Sequence, residues 1–213
     1  METRMQSTQA LLRQVGITSG QKVLDIGFRD LPELQELASL IGHAGHILGI
    51  DIDARHVQAA SKMLSNLSIS SISVKEGSAL AIPAGDYSFD LILCKGVLHE
   101  IRRPEKAIAE MARVCKPDGA ILIIDIQRFS RIKFELYRAQ ALFKGQHSGD
   151  FHPGFSRERL LRMLSQQRLV EVDYRQLPDK WHLGFNEVNL FLLKVERLAN
   201  SQPAGDNIAI PSR

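Results

Sequence analysis

Short apolar runs recur along the first 125 positions. Most close on an acid, and most are followed by a polar stretch whose apolar residues return at helical spacing. KVLDI at 22–26 reads as a buried strand, with Asp25 and Gly27 at its carboxyl end. In LPELQELASLI, Leu34, Leu37, Leu40 and Ile41 recur every three or four residues and predict a helix. Asp30 is placed to cap it, and Glu33, three residues on, to complete a capping box. HILGI at 46–50 predicts a second strand ending at Asp51. Asp53 then caps a helix over 54–67, with Val57, Ala60, Met63, Leu64 and Leu67 on its buried side. A third strand is expected near 69–75. FDLILC at 89–94 is apolar nearly throughout, as a strand covered on both faces should be. Pro104 opens a helix with Ala107, Ile108, Met111, Ala112 and Cys115 inward. KPDG at 116–119 turns the chain into a fifth strand, AILIID at 120–125.

Strands alternating with helices predict an α/β fold, a Rossmann-like, mostly parallel doubly wound sheet with helices on both faces. Right-handed crossovers bring the loops after Ile26, Ile50, Cys94 and Ile124 to one rim, and with them Asp25, Asp51 and Asp125. A strand entering a helix through a glycine turn is how such a sheet builds its ligand crevice. Here the turn holds one glycine, Gly27, followed by Phe28, Arg29 and Asp30.

Residues 129–150 are amphipathic and mixed in charge; they predict either a helix packed on the sheet or a lid, spanning 129–155, over the crevice. Ser156 caps a helix over 157–166 with Leu160, Leu161 and Leu164 inward. LVEVDYRQL and EVNLFLLKV predict two last strands joined through the irregular PDKWHLGFN, the final one antiparallel, for seven strands in all. A short helix is expected over 7–15. The expectation is one domain over 1–198 and a flexible tail over 199–213.

Composition narrows the picture without changing it. A formal charge of +3 in 213 residues provides no basic stripe, and no aromatic-and-basic run offers a nucleic-acid platform. Cys94 and Cys115 lie in apolar surroundings and read as buried free thiols of a reducing compartment. The two cysteines are far apart and the seven histidines scattered, so no metal-ligand spacing emerges. Without a signal-peptide pattern or an apolar run long enough to span a bilayer, the expected setting is cytoplasmic, with no membrane.

Taken in order, these stretches resemble the class I S-adenosylmethionine-dependent methyltransferases, over about residues 10–195. The likeness is closest to the small-molecule branch containing the ubiquinone and menaquinone biosynthesis enzymes. VLDIG at 23–27 resembles the family's first motif and GIDID at 49–53 its second. LAIPAGDYSFDLILCKGVLHEI at 80–101 and MARVCKPDGAILIID at 111–125 are similar to its fourth- and fifth-strand regions. The resemblance implies S-adenosylmethionine as cofactor. Asp25 and Gly27 would shape the methionine end of its pocket, and Asp51 would hold the ribose hydroxyls, beside Ile52. Ser78 and Ala79 would flank the adenine, and Lys95 and Gly96 would line the site from the fourth strand. The chain departs from the pattern where Arg29 and Leu31 stand for glycines, and where Ser78 stands for the acid that meets the adenine amino group. Arg29 is expected to lie beside the cofactor's charged end and leave the pocket open.

The implied reaction is in-line methyl transfer to oxygen, nitrogen or carbon of a small molecule, for which positioning matters most and a base is optional. His99 is the base candidate, with Glu100 a candidate to orient it; Tyr137, His147 and His152 could meet substrate if 129–155 closes. A non-enzymatic relative that binds a ligand or partner protein is the alternative. An RNA methyltransferase and a nicotinamide-dependent oxidoreductase stand further off, the latter because GFRDL lacks glycines for a pyrophosphate. The partner expected is a small-molecule substrate, and a homodimer is compatible with the sequence.

Overall fold

Each apolar run carries a full set of backbone donors and acceptors that only a neighbouring strand can satisfy once both of its faces are covered. In the computed structural model of the chain, which describes residues 12–13, 16–67, 69–143, 152–183 and 186–198, they pair into one sheet. Its strands are β1 (Lys22–Ile26), β2 (His46–Asp51), β3 (Ile72–Glu76), β4 (Phe89–Lys95), β5 (Cys115–Ile126), β6 (Leu169–Leu183) and β7 (Asn186–Arg197). They lie in the order β3-β2-β1-β4-β5-β7-β6. The first five are mutually parallel, and β7 runs antiparallel to both β5 and β6. The fold expected from the sequence is the fold observed. Among the described residues no helix is long and apolar enough to cross a membrane.

The helices are α1 (Leu31–Ile41), α2 (Ala54–Leu67), α3 (Pro104–Val114), α4 (Arg131–Phe143) and α5 (Arg157–Ser165), with a single 3-10 turn over Leu98–Glu100. Period-two alternation sorts the strand side chains between two cores. Leu24, Ile26, Ile92, Cys94, Ile121 and Ile123 pack on one face with residues of α3 and α5. Val23, Leu91, Leu93, Leu122 and Ile124 pack on the other with residues of α1 and α2. Both cysteines are buried and free, and burial pushes the Cys115 thiol up to about 12, so neither sulfur is poised to react.

Several boundaries differ from the sequence expectation. β3 begins at Ile72 rather than near 69. KPDG belongs to β5, where Phe89 faces Cys115 but Leu91 faces Ala120, so one residue of β4 opposes four of β5 and the turn survives as a bulge. β6 runs on through Leu183 after a register shift between Gln176 and Lys180, taking in most of the expected link. On α2, Met63 and Leu67 are exposed while Ala60 and Leu64 carry the packing. On α5, Leu161 is exposed and Met163 takes its place inside. The expected helix at 7–15 falls outside the described residues except for 12–13, as do the tail over 199–213 and His147.

A tight contact sets the pitch of α1 against the sheet. Phe28 is fully buried, and a Cβ placed on Gly49 of β2 would lie 2.8 Å from its ring. Gly49→Ala should therefore destabilise the fold by about 1–3 kcal/mol through overpacking. Phe28→Leu in the same chain should recover part of that loss. Urea unfolding of the two single variants and the double variant measures the coupling, and simple additivity would show that the ring and the glycine do not meet.

Candidate active site

The carboxyl ends of β1, β2, β4 and β5 form one rim, since Ile26 pairs with Ile50 and Cys94, and Lys95 with Ile124. Gly27 leaves β1 at φ +76, a conformation that side chains disfavour. A Cβ there would sit 2.2 Å from Val97 Cγ2, so the turns after β1 and β4 approach closely. The Gly27 N–H donates to Ile50 O at 2.7 Å, and the Gly96 N–H, at φ +69, donates to Ile124 O at 2.8 Å. Arg29 and Leu31 do not occupy positive φ, so neither backbone position demands glycine. Leu31 is buried in the α1 core and Arg29 is exposed.

Asp25 ends β1 at 3% exposure, and its Oδ2 is buried without a hydrogen-bond partner. Desolvation, with the negative charges of Glu33 and Asp51, raises its carboxyl to about 8 against the opposing pull of Lys95. Asp30 caps α1, its Oδ1 accepting from the Glu33 N–H at 3.3 Å. The Glu33 carboxylate is engaged by the Lys95 ammonium, a side-chain pair bridging the first turn of α1 to the end of β4. That ion pair replaces the reciprocal half of the expected capping box. At the end of β2, Asp51 Oδ1 accepts from the Asp53 N–H at 2.7 Å, and Oδ2 lies 3.2 Å from His56 Nδ1. Asp53 in turn accepts from the Arg55 N–H at 2.9 Å and so caps α2 as expected. Beside Asp51, Ile52 is 77% exposed. Ser78 Oγ accepts from the Leu80 N–H at 3.1 Å, and Ala79 is buried against the core.

On the opposite face of the sheet, in register with Ile121 and Ile123, Asp125 ends β5 fully buried. Its Oδ1 lies 2.7 Å from His99 Nδ1, and the His99 ring is itself buried in the turn after β4. Asp125, not Glu100, holds the imidazole; Glu100 Oε1 stands 3.8 Å from Nε2 with its side chain mostly in solvent. The His152 N–H donates to His99 O at 2.7 Å, and Phe155 forms a parallel bridge with Gln127 just past β5. The 152–155 segment is thereby strapped to the rim next to His99. Gly154 permits this at φ +79, since a Cβ there would lie 2.7 Å from two backbone oxygens of 126–127. α4 leaves from the same rim with Ile132 and Leu136 exposed rather than packed on the sheet. Tyr137 is on α4, but its side chain lies outside the described residues.

The structure thus gathers Asp25, Gly27, Asp51, Lys95, Gly96 and His99 on one rim and brings His152 to its β5 side. Two pairings are not among the sequence expectations: Glu33 with Lys95, and Asp125 with His99. Asp125 had a legible signal, an acid ending an apolar strand, whereas Glu33 was taken up by its capping position. A groove of about 490 Å³ between α2 and the edge strand β3 contains none of these residues.

A family model described as a methyltransferase domain matches residues 17–169. The ubiquinone/menaquinone biosynthesis C-methyltransferase UbiE of Cronobacter sakazakii is 32% identical over 188 residues, covering 83% of this chain and 70% of that protein. The demethylmenaquinone methyltransferase of Halalkalibacterium halodurans is 21% identical over 195 residues, covering 83% and 80%. Among solved structures, an S-adenosylmethionine-dependent methyltransferase from Aquifex aeolicus superposes with a TM-score of 0.69 at 20% identity, covering 90% of this chain and 89% of that one.

The upward shift of the Asp25 carboxyl has a consequence for stability. Its ordinary value is 3.8 and its folded value about 8, so between these the unfolded chain has released a proton that the folded chain keeps. The group's contribution is fully present below pH 4 and is lost as pH rises to about 8. Asp25→Asn removes this loss. The stability gap between variant and wild type should grow in the variant's favour by about 1.4 kcal/mol per pH unit across that window. Urea unfolding at pH 5, 6 and 7 reads the slope, and a gap independent of pH would mean that Asp25 is already ionised in the fold.

Proposed function

Because the chain belongs to the class I S-adenosylmethionine-dependent methyltransferases, we propose that it binds S-adenosylmethionine along this rim and methylates a small molecule. The observation that carries the reading is the orphaned, buried Asp25 Oδ2 at the head of the crevice. A buried oxygen without a partner costs free energy unless a ligand supplies the donor. The amino group at the methionine end is such a donor, and its positive charge favours the ionised acid that burial alone disfavours.

The remaining residues fit the same molecule. Gly27 and Gly96 supply the positive-φ turns at the ends of β1 and β4, beside which the ligand would lie. The Lys95–Glu33 pair fixes the flank of the methionine end, and exposed Arg29 is available to its carboxylate as a charge-assisted donor. Asp51 uses one lone pair on each oxygen within its own loop, which leaves acceptor capacity on both for a pair of vicinal hydroxyls. Exposed Ile52 offers an apolar surface to an adenine, with Ala79 and Ser78 beside it. The Ser78 oxygen already accepts one N–H, which leaves its hydroxyl proton and one lone pair to offer. When bound, S-adenosylmethionine supplies a methyl group already activated on a sulfonium. What this chain contributes is orientation and, at His99, a place for a proton.

Calorimetry with S-adenosylmethionine, S-adenosylhomocysteine and NAD tests the reading. Micromolar binding of the first two with none of NAD is expected, and silence for all three would favour a non-enzymatic relative. Asp51→Asn should weaken S-adenosylhomocysteine by about tenfold or more, the worth of a charged hydrogen bond of roughly 1.5 kcal/mol. Its unliganded thermal midpoint should hold, because the amide oxygen can still accept from the Asp53 N–H. Unchanged affinity would put the ribose elsewhere.

A further inference from the structure

The first turns of α4 carry apolar surface and charge that the fold itself does not use. Ile132 is 76% exposed and Leu136 60%, and Ala139 is exposed a turn further on. Spaced by four and three residues, they form one stripe along the helix. Phe134 lies on the far side, half-buried and edge-on to Phe129 with ring centroids 6.1 Å apart. The helix therefore has its inward anchor already, and the stripe is left in water. Arg131 and Lys133, both exposed, flank the stripe on either side. A helix N-terminus repels cations, and the first turn of α4 holds no acid to offset them, so these charges weaken the helix that carries them. Arg128 stands exposed just before them, and Arg103 is exposed at the N-cap of α3, which follows the neighbouring strand β4. Among the described residues none of these four cations makes an ion pair, and Glu135, the one acid between Gln127 and Arg138, is taken by Arg138 at 3.3 Å. The Arg128 N–H donates to Phe155 O at 2.9 Å and the Phe129 N–H to Pro153 O at 3.1 Å, so the root of α4 is fixed at the rim.

We propose that the start of α4, with the cations beside it, seats this end of the molecule on an anionic lipid bilayer. An apolar stripe bordered by Arg and Lys is the pattern of a helix that lies in the interface plane. Ile132 and Leu136 enter the boundary between headgroups and acyl chains, while the long stems of Arg131 and Lys133 carry their charges to the phosphates. Such a helix needs no spanning length, and none of the described helices has it. The charge distribution selects this partner. The whole chain has a formal charge of only +3, so attraction to an anionic surface acts where unpaired cations gather rather than over the molecule at large. A nucleic acid would engage the cations but leave the stripe in water. A second copy of the same face would bury the stripe but set cation against cation. A bilayer with anionic headgroups satisfies both at once. The surface stands independently of the methyltransferase reading, and it brings the mouth of the rim to the membrane.

Sedimentation of the full chain with vesicles tests this, using phosphatidylcholine alone and an equal mixture of phosphatidylcholine and phosphatidylglycerol. Wild type should bind the mixed vesicles about tenfold or more tightly than the neutral ones, and added salt should weaken that binding. Ile132→Gln together with Leu136→Gln should weaken it by about tenfold or more without changing the net charge. The thermal midpoint of this variant without vesicles should hold, because both side chains are already in water. Arg131→Gln together with Lys133→Gln should cost a similar factor on mixed vesicles, with the midpoint unchanged or slightly raised. No binding by wild type, equal binding to the two compositions, or full binding by either double variant would overturn the proposal. Two further results would do the same by naming another occupant. Self-association of wild type that the Ile132→Gln, Leu136→Gln variant loses, without vesicle binding, would assign the stripe to a second copy. Binding of a single-stranded RNA in place of the vesicles, lost with Arg131 and Lys133 but not with Ile132 and Leu136, would assign the cations to a nucleic acid.

Discussion

Carboxyl groups placed where the apolar strands run out are the constraint around which this molecule is built. A strand covered on both faces has no water at its carboxyl end until the chain turns away, so an acid in its last positions is desolvated unless something meets it. β1 and β5 each carry such an acid, Asp25 and Asp125, and period-two alternation turns them to opposite faces of the sheet. The two are met differently. Asp125 is satisfied within the protein by His99 and two backbone amides, and Asp25 keeps one oxygen unsatisfied. That difference divides the rim into a side whose acid is met within the protein and a side whose acid keeps an orphaned oxygen.

The turn after β1 shows how a strand-to-helix turn can be made with a single glycine. A glycine is needed only where the backbone adopts positive φ or where a Cβ would collide, and here both conditions meet at Gly27 alone. Beyond it, Phe28 and Leu31 are drawn into the α1 core, and Arg29 between them is left on the surface. The side chains that take the glycines' places therefore point into the core or into water. The compensating feature sits on the neighbouring strand, where Gly49 makes room for the Phe28 ring.

Electrostatics couples the parts of the rim that the chain separates. Lys95 pairs with Glu33 across 62 positions of sequence and also tempers the burial of Asp25. His99 joins Asp125 across 26 positions and the strap at His152 across 53, so β4, β5 and the segment after α4 are locked together at one corner. α4 itself carries two large apolar side chains, Ile132 and Leu136, in water.

The sequence by itself determined the architecture. Apolar runs of strand length, helical stripes between them and capping residues such as Asp30, Asp53 and Ser156 are local properties, and each led to the element found. It also located the rim, because crossover handedness sends every strand end of a parallel set to one side. It could not say which apolar residues of an amphipathic stripe lie inward, so Met63, Leu67 and Leu161 fell on the wrong side. How far a helix is covered depends on where the sheet ends: α2 overlies the edge strand β3, and among the described residues its outer flank has nothing to pack against. Only the tertiary structure decided the partners of the charged groups. Glu33 caps or bridges, and Glu100 or Asp125 orients His99, according to distances set by strand pairing between residues far apart in the chain. Sequence spacing favours the adjacent acid at 100; the register of β4 against β5 brings in the distant one at 125, because neighbouring residues on a tight turn point apart while paired strand ends converge.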